Sequence, residues 1–392
     1  MALRTLLPFS PLRGRGRVKP RGLICIHQFR PVAGGAELQA ERLAMKLVEM
    51  GHGMQVLTRW LAPDTPLEEN MRGVQVHRVR FPLAYNMQYG MAETFRYLVK
   101  QRRTYDVLHV QQAFGHAVVS VVVARCLRKK CIIKIACAGT YGDLNVFSGF
   151  QGFGRALEIL HQADRVVAIS REVEEELRAW GFPLERVIRI PNGVDTQYFQ
   201  RRQPLPAWDK VRFILVGRRH PQKGIDIALQ SIRQLVERGL GGRFVVQLYG
   251  VDYPEHDYNT LAQQLGVTQW VEFHPYSQAE AMFDIYQAGN CFLLPSRGEG
   301  LSNALLEAMA MELPVIATAV SGTVDVLQDG QDGILIPPES PEALADAMAT
   351  VLHRPALAVQ LGQRARHRVL QHFSLESVAR RYDELYSQLY ER

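Results

Sequence analysis

Two glutamates, Glu299 and Glu307, stand eight positions apart on either side of the stretch Gly300-Leu301-Ser302-Asn303. Ionised carboxylates accept hydrogen bonds at both oxygens and so hold hydroxyl groups well. Ser302 or Asn303 can cap a helix rich in good helix formers, Ala304 to Met309. A helix start offers free N–H groups and a dipole that favour an anion. Upstream, Gly217-Arg218 and Lys223-Gly224 bracket a second loop. The planar fork of Arg218 can bridge two phosphate oxygens, Lys223 adds a point charge, and the glycines let backbone come close. Hydroxyls and a diphosphate held side by side describe a site for a nucleotide-sugar, with cations placed to stabilise a departing diphosphate. With no paired acid/base partner and no metal motif, the two glutamates read as hydroxyl-holding groups and not as a glycosidase-type pair.

These residues need strands and helices to position them. Cys291-Phe292-Leu293-Leu294 reads as a buried strand that delivers Glu299 on the loop after it, and Phe213–Gly217 as the strand that delivers Arg218. The first half repeats the pattern. Gly22–His27 is a first strand, followed by a loop with Gly34-Gly35 and an amphipathic helix with Leu38, Leu43, Ala44, Leu47 and Val48 on one face. Further strands are expected at 54–58, 74–79, 106–110, 131–135, 164–170 and 187–190, then at 244–250, 271–273, 314–317 and 333–336. Strands alternating with helices argue for parallel sheets. The expected fold is α/β, with two Rossmann-like domains facing a cleft, because ligands of such sheets bind beyond the carboxyl ends of the strands. The expected boundaries are a basic leader over 1–21, a first domain over 22–203, a second over 204–372 and a final helical segment over 373–392. The last helix, from about Leu375 to Leu389, carries Val378, Tyr382, Leu385 and Leu389 on one stripe.

Length and composition agree. A chain of 392 residues, 47% apolar and 22% charged, fits a soluble protein of two domains. No apolar run is long enough for a membrane span. Five scattered cysteines read as reduced thiols in a cytoplasmic protein. Of the net charge of +7, residues 1–21 hold six cations and no acid, leaving +1 for the rest. A nearly neutral body gives nucleic-acid binding little support. The leader reads as a solvated tail, with contact to anionic lipid as the alternative.

Three candidates are less specific. Gly34-Gly35 is not a dinucleotide fingerprint, so a nicotinamide cofactor is not expected; the pair either lets a ligand approach or makes a plain turn. His109 ends a strand and is either a core histidine or a cleft group. Asp143, just past another strand, is either a solvated loop aspartate or a cleft group. No Asp-x-Asp, P-loop or Gly-x-Ser-x-Gly motif is present.

From Gly22 onward the chain resembles the retaining glycosyltransferases of family 4, with the GT-B fold. The resemblance rests on the order and spacing of Pro31…Gly34-Gly35-Ala36-Glu37, Pro191-Asn192-Gly193-Val194-Asp195, Gly217-Arg218…Lys223-Gly224, Glu299 with Glu307, and Asp329-Gly330…Gly333 to Pro338. It implies that Arg218 and Lys223 bind the donor diphosphate, Glu307 the ribose, and Glu299 the transferred sugar. Gly300, Leu301, Ser302 and Asn303 would offer backbone N–H groups, Gly35 would approach from the first domain, and the base would sit near Tyr249 and Phe273-His274-Pro275-Tyr276. It further implies a UDP-, GDP- or ADP-sugar donor, a glycan, lipid or small-molecule hydroxyl acceptor, no cofactor, no metal, and a place in glycoconjugate or polysaccharide biosynthesis. The chain departs from the family where histidines are frequent, at Gln111 and Ala138; Asp143 or His109 would take part of that role. The rival readings are a nucleotide-sugar epimerase, a sugar or sugar-phosphate synthase, or a catalytically silent binding protein on the same scaffold.

Overall fold

The computed structural model describes residues 19–391 apart from 33, 62, 81–86, 254 and 276–280. The expected behaviour of the basic leader therefore lies largely outside the described residues, as does Tyr276. Apolar runs buried on both faces make two sheets. The first contains β1 (Gly22–Cys25), β2 (Met54–Arg59), β3 (Glu68–Met71), β4 (Val74–Val79), β5 (Val107–Gln111), β6 (Lys130–Ile135), β7 (Arg165–Ala168) and β8 (Val187–Arg189), in the order β3-β4-β2-β1-β5-β6-β7-β8. The second contains β9 (Val211–Val216), β10 (Phe244–Tyr249), β11 (Val271–His274), β12 (Cys291–Leu294), β13 (Val315–Thr318) and β14 (Ile334–Ile336), in the order β11-β10-β9-β12-β13-β14. All pairings are parallel except β3 with β4. The strand order reverses at β1/β5 in one sheet and at β9/β12 in the other. Those switch points are where crevices open in such sheets. Strand β3, with the sequence Glu-Glu-Asn-Met, is the one strand not anticipated. It has no β-branched residue or apolar alternation, and its pairing with β4 alone makes it a strand.

The helices of the first half are α1 (Gly35–Glu49), α2 (Met87–Lys100), α3 (Gly115–Leu127), α4 (Asp143–Ser148), α5 (Phe153–Leu160) and α6 (Arg171–Ala179). Those of the second are α7 (Ile225–Glu237), α8 (Tyr258–Gln264), α9 (Met282–Ala288), α10 (Asn303–Ala310), α11 (Ser321–Val326), α12 (Pro341–His353) and α13 (Pro355–His372), followed by α14 (Leu375–Tyr390). The apolar stripe of α14 packs on the first domain: Val378, Tyr382, Leu385, Tyr386 and Leu389 are buried with Ile24, Leu47 and Val56. Two backbone bonds fix the point of return, from Val194 N–H to the Phe373 carbonyl and from Leu375 N–H to the Val194 carbonyl, 2.9 and 2.8 Å. Among the described residues no helix is long and apolar enough to cross a membrane.

Candidate functional site

The loops after β9 and β12 flank the second switch point, and the sequence forces them together. Gly224 has φ +63°, and a Cβ there would lie 1.9 Å from the Pro295 carbonyl oxygen, so only glycine fits. Gln222 donates to the Gly298 carbonyl at 3.0 Å, and Arg297 N–H donates to the Gln222 carbonyl at 2.8 Å. Arg297 then grips Asp226 with both terminal nitrogens, each at 2.8 Å. That fork and the Glu339 carboxylate hold its guanidinium above its already high ordinary pKa. The sequence reading passed over Arg297; its place two residues before Glu299 is the signal it carried.

This frame brings Lys223 and Glu299 into an ion pair, Nζ to Oε1 2.5 Å, with the Ser296 hydroxyl donating to the same oxygen at 2.6 Å. Glu299 is 7% exposed. The Lys223 stem lies over Gly217, where a Cβ would sit 3.2 Å from three of its carbons. Arg218 stands in the same loop, its terminal nitrogens 3.3 Å from the Tyr253 hydroxyl and the Gln222 side-chain oxygen. Helix α10 begins at Asn303, and the Ser302 hydroxyl accepts from Leu305 N–H, the expected cap. Among the described residues none accepts from the backbone N–H groups of Gly300, Leu301, Ser302 or Asn303. Tyr249 and His274 end β10 and β11 and stack on one another, centroids 4.5 Å apart and planes 11° apart. Arg219 donates to the His274 carbonyl at 2.8 Å and lies over the Phe273 ring.

The first domain closes directly on this loop. The Asn303 side chain donates to the Gly35 carbonyl at 2.9 Å, and Gln39 donates to Asn303 Oδ1 at 2.9 Å. Asn192 donates to the Leu301 carbonyl at 3.0 Å. A Cβ on Gly300 would lie 2.1 Å from the Ala136 carbonyl oxygen. Glu307 is buried, and its carboxylate is taken by Arg42 of α1 at 2.9 Å and by the Tyr286 hydroxyl at 3.1 Å. Gln39 and Arg42 were not singled out from the sequence, where they are two of several polar residues on an amphipathic helix; Asn192 entered only as part of the motif over 191–195, with no role of its own.

Two expectations change. His109 is fully buried, its Nδ1 3.0 Å from the Tyr386 hydroxyl and its ring stacked on Tyr382 at 5.1 Å. Burial, with the Lys134 charge, brings its pKa down to about 3, so the ring is neutral and enclosed under α14. It is a core histidine with no access to a substrate. Asp143 is not a cleft group with a free carboxylate either. It is 3% exposed and accepts from Ala136 N–H at 2.9 Å, and burial pushes its pKa up to about 7. Near it the buried Lys134, brought down to about 8 by desolvation, donates to Asn192 at 2.8 Å. Among the described residues no three His, Cys, Asp or Glu side chains gather as a metal-binding group.

Comparison with known proteins agrees with this geometry. Residues 33–198 match the family profile Glycosyltransferase Family 4, and residues 210–354 match the profile Glycosyl transferases group 1. The chain belongs to the family 4, group 1 glycosyltransferases. It is 26% identical to an uncharacterized glycosyltransferase of Methanocaldococcus jannaschii over 91% of this chain and 94% of that one. The fold of this glycosyltransferase is shared with sucrose-phosphate synthase from Thermosynechococcus elongatus, at TM-score 0.80 and 23% identity, over 95% of this chain and 100% of that one. It is shared also with Anabaena HepE in complex with UDP-glucose, at TM-score 0.77 and 19% identity, over 94% and 100%. The fold is therefore GT-B.

Proposed function

We propose that this glycosyltransferase moves a sugar from a nucleoside-diphosphate-sugar to an acceptor hydroxyl with retention at the anomeric carbon and without a divalent metal. The observation that carries the reading is the Lys223–Glu299 pair: a cation and a hydroxyl-holding carboxylate meet at one point, beside Arg218 and the free N–H groups at the start of α10. A bound donor would divide the pair, its diphosphate taking Lys223 and Arg218 and its sugar hydroxyls taking Glu299. As the anomeric C–O bond breaks, negative charge grows on the diphosphate, and the two cations and the helix start stabilise it more than the ground state. The acceptor attacks from the face the diphosphate leaves, and its proton passes to the departing phosphate oxygen. Tyr249 and His274, the last residues of β10 and β11, would take the base. A UDP-, GDP- or ADP-sugar fits these groups, and the UDP-glucose complex of Anabaena HepE puts UDP-sugars first for trial.

The test is a thermal-shift screen of UDP, GDP and ADP and their sugars, followed by NMR analysis of the anomeric configuration of the product. One diphosphate should raise the melting temperature, since a ligand of the folded state stabilises it by mass action. Its sugar should give a product with the donor's configuration. An inverted product would overturn retention. Conversion of the donor without an acceptor would favour an epimerase, and binding without turnover a silent binder.

A further inference from the structure

Lys134 is a buried cation to which the donor site gives no task. It stands near the end of β6 and is 4% exposed. Among the described residues it forms no ion pair; Asp143 lies near enough to act on its charge but not to pair with it. Its ammonium donates instead to the Asn192 side-chain oxygen, at 2.8 Å. Taking an ammonium out of water is costly, and an apolar residue in this strand would avoid the cost. The use made of the charge lies in what it does to Asn192. An ammonium accepts nothing, so it admits only one of the two orientations of an amide. The Asn192 oxygen is turned to Lys134, and its nitrogen is turned to the Leu301 carbonyl at 3.0 Å and to Asn303 Oδ1 at 3.2 Å.

The other end of this network is fixed in the same manner. The Gly193 N–H can only donate, and it takes Gln39 Oε1 at 3.1 Å. The Gln39 nitrogen then meets the Gly193 carbonyl at 2.7 Å and Asn303 Oδ1 at 2.9 Å. Asn303 is left with its own nitrogen for the Gly35 carbonyl, at 2.9 Å. Each of the three amides thus has a single orientation that satisfies all its neighbours. Gln39 and Asn192 are buried, so water has little part in the arrangement.

The network ends on the turn that starts α10. A trans peptide points its carbonyl and the next N–H in opposite directions. In this turn the carbonyl side is occupied throughout. The Glu299 carbonyl accepts from Gly322 N–H at 3.4 Å, and the Gly300 carbonyl is pressed against Gly322, where a Cβ would lie 1.9 Å from its oxygen. The Ser302 carbonyl accepts from Leu306 N–H at 3.2 Å as the helix begins. The second domain supplies all three of these partners. The Leu301 carbonyl is held by Asn192, from the first domain. Each following N–H points away from its carbonyl's partner, and these are the N–H groups that no described residue accepts.

We propose that Lys134 and Asn192 are positioning residues of the transfer reaction: Lys134 sets the Asn192 amide, and Asn192 holds the Leu301–Ser302 peptide so that the Ser302 N–H stays aimed at the donor diphosphate. The assignment rests on the donor reading above. The anion-binding turn of the second domain is then complete only while the first domain is seated on it. Charge that grows on the departing diphosphate meets an N–H group already oriented, with no reorganisation left for the step itself.

The experiment compares the full chain with its Asn192→Asp and Lys134→Met variants. Aspartate keeps the shape of Asn192 and gives Lys134 a carboxylate partner, so the fold is retained, but it sets an acceptor where Leu301 and Asn303 need a donor. Methionine keeps much of the lysine stem and frees the amide to turn. UDP, GDP and ADP are titrated by calorimetry. Hydrogen exchange is then followed at single amides of the turn, by mass spectrometry with fragmentation, with and without the tightest binder. Unbonded N–H groups at a helix start exchange readily, and a ligand that accepts from them slows the exchange. In the wild type the bound diphosphate should slow Gly300, Leu301 and Ser302. In Asn192→Asp the melting temperature should hold and the diphosphate should bind about tenfold more weakly, the scale of one hydrogen bond to a charged group. At saturation the slowing at Ser302 should be lost, while that at Gly300 and Leu301 remains. Lys134→Met should lose it too, with a lower melting temperature because a buried amide oxygen is left without its donor. A merely structural role predicts lower melting temperatures with Ser302 protected in the folded fraction as in the wild type. That result, or a wild type in which the diphosphate binds without slowing Ser302, overturns the assignment. If none of the three diphosphates binds the wild type, the donor reading falls first and this one with it.

Discussion

Arg42 of α1 and Glu307 of α10 join the two domains through an ion pair of 2.9 Å, with Glu307 buried and Arg42 half-buried. Arg42 also lies 5.4 Å above the Phe199 ring, and Glu307 receives the Tyr286 hydroxyl. Glu307 was expected to bind ribose. Its carboxylate is already committed to an interdomain contact, so a ribose hydroxyl must share it with Arg42 or displace it. Removing one partner of a buried pair strands the other charge. Arg42→Ala should therefore cost about 3 kcal/mol of stability and loosen the association of the domains. Chemical denaturation and the radius of gyration by small-angle scattering check both effects.

Lys223 and Glu299 should behave as parts of one device. Lys223→Ala and Glu299→Gln are each expected to lower kcat/KM by about 10²–10³, the range for losing one group that meets developing charge. Circular dichroism should show both variants folded. Near-normal turnover in both would refute the roles given to them.

Gly300 carries a prediction about closure. Its backbone lies so near Ala136 that an added methyl would meet a carbonyl oxygen at 2.1 Å. That atom belongs to the backbone just after β6 and cannot rotate away as a side chain can. Gly300→Ala should hold the domains apart and reduce kcat while the second domain still binds nucleotide. Single-turnover rates compared with nucleotide affinity by calorimetry separate the two effects.

What the sequence disclosed follows from what local pattern encodes. Parallel strands read as apolar runs because both faces are covered, and the cap of α10 was narrowed to Ser302 or Asn303 by residue type. The loops that carry Arg218, Lys223 and Glu299 were legible because glycines and charges after a strand are uncommon without a reason. Long-range pairing was not legible. Nothing near Arg42 says that its partner lies on α10, and nothing near His109 says that α14 covers it. The fork of Arg297 likewise exists only through a partner distant in the chain, and strand β3 only through its pairing with the neighbouring β4.

His109 should prove a residue of the core. Its neutral ring lies against Tyr382 and Tyr386, so its loss opens a gap under α14. His109→Ala should lower the melting temperature, whereas the pH profile of turnover in the folded fraction should match that of the wild type. A shifted profile would restore a chemical role to this histidine.

Asp143 makes stability depend on pH in a predictable direction. Its carboxyl faces Ala136 N–H, the Gln112 side chain and the charges of Glu176 and Lys134, and burial is the largest influence on it. The folded pKa, about 7, lies above the ordinary value of 3.8. Between those values the folded state binds more protons than the unfolded one, so stability from this group is fully present below about pH 4 and is lost as pH rises through 7. Above pH 7 the chain folds with a buried carboxylate that Lys134 offsets only in part. Asp143→Asn keeps an acceptor for Ala136 N–H and removes the titration. It should leave the melting temperature nearly unchanged at pH 4.5 and raise it by a few degrees at pH 8. Scanning calorimetry of both proteins across that range decides the matter: parallel curves would mean that Asp143 titrates normally, and a lower melting temperature for the variant at pH 8 would mean that its charge, paired with Lys134, stabilises the fold.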